Sequence, residues 1–152
     1  VARRLHPEFE AAPFHSQAVE LDEGLRLADV VSLHTPLTQQ THRLLDARRL
    51  ALLKPSAILV NNARRAAVDE EALVHALRNG QLFAAGLDVS EWEPILSEGL
   101  RELPNVFTMP QLGSSTLEDR VWMTEQAVAN LIPGALGHFL PNEHAGQPPT
   151  FE

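Results

Sequence analysis

Lys54-Pro55-Ser56-Ala57-Ile58-Leu59-Val60-Asn61-Asn62-Ala63-Arg64, continued by Val68-Asp69-Glu70-Glu71-Ala72-Leu73-Val74-His75-Ala76-Leu77-Arg78-Asn79-Gly80, is the stretch that decides the fold. Its first part is a short apolar run opened by a Pro-Ser turn, the pattern of a buried strand. Its second part is a helix. Asp69 is a natural N-cap, the acidic first turn suits the helix dipole, and Gly80 stands at the C′ stop. Leu73, Val74 and Leu77 make its buried stripe. Further out, Ala28 to His34 closed by Thr35-Pro36, Ala84 to Val89, and Asn105 to Met109 before Pro110 repeat the strand pattern. These runs are near-continuous rather than alternating, as in strands covered on both faces of a parallel sheet. Residues 44–53, with Leu45, Leu52 and Leu53 at helical spacing, read as a helix. A last helix is expected from Ser115, with Glu118 completing a capping box, to Ile132 before Pro133-Gly134. Leu117, Val121, Val128, Leu131 and Ile132 lie along one of its faces. Strand alternating with helix predicts an α/β fold, a doubly wound parallel sheet in a single domain. Residues 1–20 form an irregular N-terminal segment, residues 21–132 the domain, and residues 133–152 a Pro/Gly-rich tail.

Composition removes several function classes. The 152 residues contain no Cys, which excludes a disulfide scaffold, a Cys-ligated zinc and a thiol nucleophile. The formal net charge of −8 argues against nucleic acid or an anionic membrane as partner. No apolar run approaches the ~18 residues of a membrane span, and Val-Ala-Arg-Arg-Leu-His-Pro lacks the apolar core of a signal peptide. A cytoplasmic location is expected. The seven His residues show no ligand spacing, so no metal site is expected.

In open α/β sheets ligands bind beyond the carboxyl ends of the strands. Those ends carry His34-Thr35-Pro36, then Asn62-Ala63-Arg64-Arg65, then Asp88 with Glu91-Trp92-Glu93-Pro94, then Pro110-Gln111-Leu112-Gly113-Ser114. An arginine, carboxylates and an amide therefore converge on one edge. Arginine there can clamp a carboxylate bidentately. Glu93 can orient a neighbour, and Gly113-Ser114 at a helix N-terminus can present N–H groups to an anion.

These segments, in this order, resemble the NAD(P)-binding domain of the D-isomer-specific 2-hydroxyacid dehydrogenases. The likeness runs through Ala28–Leu37, Leu53–Pro55, Leu59–Arg64, Val68–Glu70, Ala85–Val89, Glu93-Pro94 and Leu103–Val106. It implies an incomplete Rossmann-like sheet and hydride transfer between NAD or NADP and a small 2-oxo or 2-hydroxy acid. Arg64 stands where the family's arginine binds the substrate, and Glu93 where its glutamate holds the catalytic histidine. Asp88 resembles the aspartate contacting the nicotinamide carboxamide, while Pro36, Thr41, Ala63 and Ser114 fall near the cofactor pocket.

Three features depart from the family. Gln111 occupies the place of the acid/base histidine, and an amide does not deliver a proton near neutral pH. Arg65 replaces the glycine usual after the arginine. No Gly-x-Gly-x-x-Gly occurs in the sequence, so the unit that carries it is expected to be missing. Impaired catalysis follows, with Arg64, Glu93 and Gln111 as the catalytic set. Two alternatives stand beside it: a non-catalytic binding or assembly module, and a pocket turned to hydrolytic chemistry. Without the glycine unit, the strand at Val30-Val31 becomes an apolar edge that pairs with a second copy, which predicts a homo-oligomer.

Overall fold

The computed structural model describes residues 16–89, 97, 99–113 and 115–138. Contacts divide the chain into two units, one through Gln111 and one from Leu112. In the first, β1 (Val30–Leu33), β2 (Ile58–Asn61), β3 (Ala84–Leu87) and β4 (Val106–Thr108) form one sheet in that order. Every neighbouring pair is parallel, with Val31, Leu59, Ala85 and Val106 in one row across it. The parallel α/β fold expected from the sequence is the one observed.

The helices of this unit are α1 (Leu21–Leu27), α2 (Ala47–Leu50) and α3 (Glu70–Arg78), with a 3-10 turn at Arg65–Ala67. Asp69 caps α3 by accepting from the Ala72 N–H. At its other end Gly80, at φ 67°, and Gln81 donate to the carbonyls of Leu77 and Ala76, closing a Schellman motif. Leu73, Val74 and Leu77 are buried, as their spacing requires. They join Leu25, Leu33, Leu45, Leu50, Leu59, Ala85 and Leu87 in one core cluster.

Cover on both faces, inferred from the apolar runs, holds for one face only in this unit. Along β2 and β3, Leu59, Asn61, Ala85 and Leu87 are buried while Ile58, Val60, Ala84 and Gly86 are half-buried. On the same open face Val30 and Phe107 are exposed. The strand order explains this. It advances monotonically, and right-handed crossovers that all step the same way place their helices on one side. The described strands are the part of a doubly wound sheet that winds in one direction.

The helices of this unit depart from expectation in two places. The helix expected over 44–53 is only α2, because the Asp46 carboxylate accepts from the Arg49 N–H and starts it there. Leu45 is extended and bridges Val68 in parallel. No periodic pattern marks α1, which is seven residues long with Gly24 inside it.

The second unit contains α4 (Leu117–Ala135). Its N-cap is Thr116 rather than Ser115: the Thr116 hydroxyl accepts from the Asp119 N–H, while Ser115 accepts from Arg120. The helix also passes Pro133. Its stop is Gly137, at φ 72°, where Gly137 and His138 donate to the carbonyls of Gly134 and Pro133. The apolar stripe from Leu117 to Ile132 is exposed, and no residue of α4 is buried. No helix among the described residues is long and apolar enough to cross a membrane.

Candidate functional site

Because all four strands run in parallel, their carboxyl ends share one edge of the sheet. The ladder continues past the strands there. The Asp88 N–H donates to the Asn61 carbonyl at 2.9 Å, and the Gln111 N–H donates to the Asp88 carbonyl at 3.0 Å. Asn61, Asp88 and Gln111 are thereby held at the same level by three successive strands. Asn61 and Asp88 are buried polar residues, whereas Gln111 is exposed.

Arg64 leaves β2 in an extended conformation, φ −142° and ψ 141°, and precedes the 3-10 turn. Its guanidinium is exposed and donates to the Ala63 carbonyl at 2.8 Å. Nearby, Arg43 pairs with Asp69 at 3.3 Å. Gln111 has φ 55°, a left-handed conformation uncommon outside glycine and Asn. The structure thus gathers Arg64, Ala63, Asp88 and Gln111 on linked strand ends. Glu93 and Ser114 lie outside the described residues.

Along β1 and past its carboxyl end a second feature opens: a cavity of about 870 Å³ lined by Leu21 and Leu25 of α1, by β1 itself, and by Thr35, Pro36 and Thr41 beyond it. Its size suits a small-molecule site. The Thr41 hydroxyl donates to the Pro36 carbonyl at 2.6 Å and accepts from the Thr38 N–H at 2.7 Å, so it braces this loop. Thr35 Oγ1 is buried without a hydrogen-bond partner. A buried hydroxyl left so is satisfied by a polar ligand group or by water. These residues fit part of a dinucleotide, the apolar wall and orphan hydroxyl at β1 and the polar strand ends beyond it. The glycine motif that cradles a pyrophosphate is absent from this sequence. Among the described residues no group of three or more His, Asp or Glu is arranged to hold a metal ion.

Asn61 has no role in the sequence-based expectations, and Thr35 enters them only as part of the segment after the first strand. Asn directly after an apolar strand is a signal for a side-chain-to-backbone turn. Nothing local marks the Thr35 hydroxyl, whose burial depends on its surroundings.

A one-way parallel sheet with its polar residues collected at the carboxyl edge defines the nucleotide-binding class of α/β domains. Residues 1–113 match the family described as D-isomer specific 2-hydroxyacid dehydrogenase, NAD binding domain, and the chain belongs to that family. It is 45% identical over 137 residues to glyoxylate/hydroxypyruvate reductase B of Enterobacter agglomerans, covering 90% of this chain and 42% of that protein. A glyoxylate reductase from Paecilomyes thermophila has a TM-score of 0.83 at 35% identity, over 91% of this chain and 42% of the other. The NADPH-dependent glyoxylate/hydroxypyruvate reductase of Sinorhizobium meliloti, crystallised with NADP and malonate, has a TM-score of 0.78 at 34% identity. That match covers 82% of this chain and 39% of the other. The chain spans 42% of the length of the curated relative it matches.

Proposed function

We propose that this chain supplies the substrate-carboxylate and nicotinamide side of an NAD(P)-dependent oxidoreductase acting on a small 2-oxo or 2-hydroxy acid. The names of its relatives make glyoxylate and hydroxypyruvate the first substrates to test. The observation carrying this reading is the ladder through Asn61, Asp88 and Gln111, with Arg64 on the intervening turn. A guanidinium offers the fork of donors that a carboxylate accepts, and it holds the acid in one orientation. A bound nicotinamide supplies the hydride. Asp88 serves the cofactor side, as do Pro36, Thr41, Ala63 and Ser114. Either NAD or NADP is the cofactor.

Gln111 limits the chemistry. Its amide N–H donates to the carbonyl oxygen as negative charge develops there, but it has no proton to transfer. The proton that completes the hydroxyl then comes from water. Without a positioned acid/base, turnover is slower by a factor on the order of 10²–10⁴. Glu93, which would orient a histidine, has a neutral amide to orient instead.

Calorimetric titration of the purified chain with NADH and with NADPH tests the reading. Micromolar binding of one of them, followed by slow oxidation of that cofactor with hydroxypyruvate, is the expected result. Absence of heat at millimolar cofactor would reject the enzyme reading. A non-catalytic assembly role is favoured by one observation: among the described residues β1 is an edge strand, and Val30 on it is exposed. The mass of the chain in solution tests that second reading.

A further inference from the structure

We propose that Asn61 is a positioning residue for Arg64, acting through the backbone of the turn between them. Asn61 ends β2 and is only 1% exposed. Its backbone is tied to the sheet, since its carbonyl accepts from the Asp88 N–H. Both ends of its carboxamide are engaged. Oδ1 accepts from the Ala63 N–H at 3.2 Å, and Nδ2 donates to the Arg64 carbonyl at 3.2 Å.

The first of these bonds is an ordinary Asx turn, and closing a turn needs nothing more. The second reaches the arginine itself. The Arg64 carbonyl accepts the Asn61 amide together with the Ala67 N–H at 3.3 Å, so the start of the 3-10 turn is pinned at that peptide. The guanidinium is exposed, and its hydrogen bond at 2.8 Å goes to the adjacent Ala63 carbonyl, which belongs to the same clamped turn. The aim of the Arg64 side chain is therefore set through the main chain that Asn61 holds. A carboxamide is the side chain that fits, because it offers one acceptor and one donor from the same planar group. Aspartate keeps the acceptor and loses the donor, while serine is too short to span both partners.

This inference rests on the reading that Arg64 binds the substrate carboxylate, and the experiment separates the two. Malonate, an unreactive dicarboxylate, is titrated in the presence of NADPH into the wild-type chain, Arg64→Gln, Asn61→Ser, Asn61→Asp, and the Asn61→Ser/Arg64→Gln double variant. Amide hydrogen exchange at Ala63 and thermal melting are followed alongside. The expected results are wild-type binding, loss of binding in Arg64→Gln, and affinity weakened by about tenfold or more in both Asn61 variants. Ala63 should exchange faster in Asn61→Ser and stay protected in Asn61→Asp, a split that a general loss of packing would not produce. The double variant should bind no more weakly than Arg64→Gln alone, because residues acting through one another are not additive. Wild-type affinity in a folded Asn61→Ser or Asn61→Asp overturns the role of Asn61 and leaves that of Arg64 standing. Wild-type affinity in Arg64→Gln, or no malonate binding to the wild-type chain, overturns both. If Asn61→Ser does not fold, Asn61→Asp decides.

Discussion

Gln111 combines two constraints in one residue: its N–H is committed to the Asp88 carbonyl, and its φ of 55° is left-handed. Histidine enters that conformation readily for a residue with a side chain, so Gln111→His should fold and melt like the parent. On the proposed reading, the substitution puts a group with acid/base capacity at this strand end. The pyrophosphate-binding motif would still be absent from the sequence. The expected rise in kcat/KM with hydroxypyruvate is therefore less than about tenfold, against the 10²–10⁴ that a positioned acid contributes where all else is in place. A hundredfold rise in a steady-state assay would show that proton transfer was the dominant defect. At this scale the sequence was informative about chemistry. Arg64, Asp88 and Gln111 are candidates by residue type and position, and the structure sets the ends of their strands side by side. Asn61 is not, because its importance lies in two backbone atoms that the sequence does not locate.

Between elements, Asp22 of α1 receives hydrogen bonds from Arg48 at 2.6 Å and Arg49 at 3.2 Å, which join α1 to α2. The Arg48 hydrogen bond first, then that of Arg49, holds the Asp22 carboxyl below its ordinary value, at about 2. A depressed folded-state value means the pair stabilises the fold above the unfolded carboxylate range, near pH ~3.9, and that this support fades as pH falls toward about 2. Asp22→Asn should melt below the parent at neutral pH, with the gap closing across that acid window. Thermal melts at stepped pH check it; a gap that persists at the acid end would mean the two arginines matter for another reason. Helix boundaries at this scale followed local chemistry where a cap was unique. Asp69 and Gly80 bound α3 as their types require, while the cap expected at Ser115 falls one residue later, at Thr116, because the backbone path brings that hydroxyl to the Asp119 N–H.

Among the described residues, the four strands leave β1 at an edge, with Val30 59% exposed on it. An apolar edge with unpaired backbone groups is a template for another strand. Light scattering at micromolar concentration should report two or more chains, and Val30→Lys, which charges that edge, should shift the chain toward monomer. A monomeric parent protein would remove the assembly reading.

Local sequence was enough for the strands, the α3 caps and the parallel α/β class, because each depends on backbone preferences and side-chain chemistry within a few residues; it also put an arginine, an aspartate and an amide at the carboxyl ends of those strands, where the proposed site lies. Tertiary structure alone decided which face of the sheet is sealed, since that follows from the strand order and the hand of the crossovers. It also decided that Asn61 is buried with both ends of its amide engaged on the turn carrying Arg64, and that the Thr35 hydroxyl is buried without a partner. Burial and hydrogen-bond partnership belong to groups brought together in space, and no single segment of the chain encodes them.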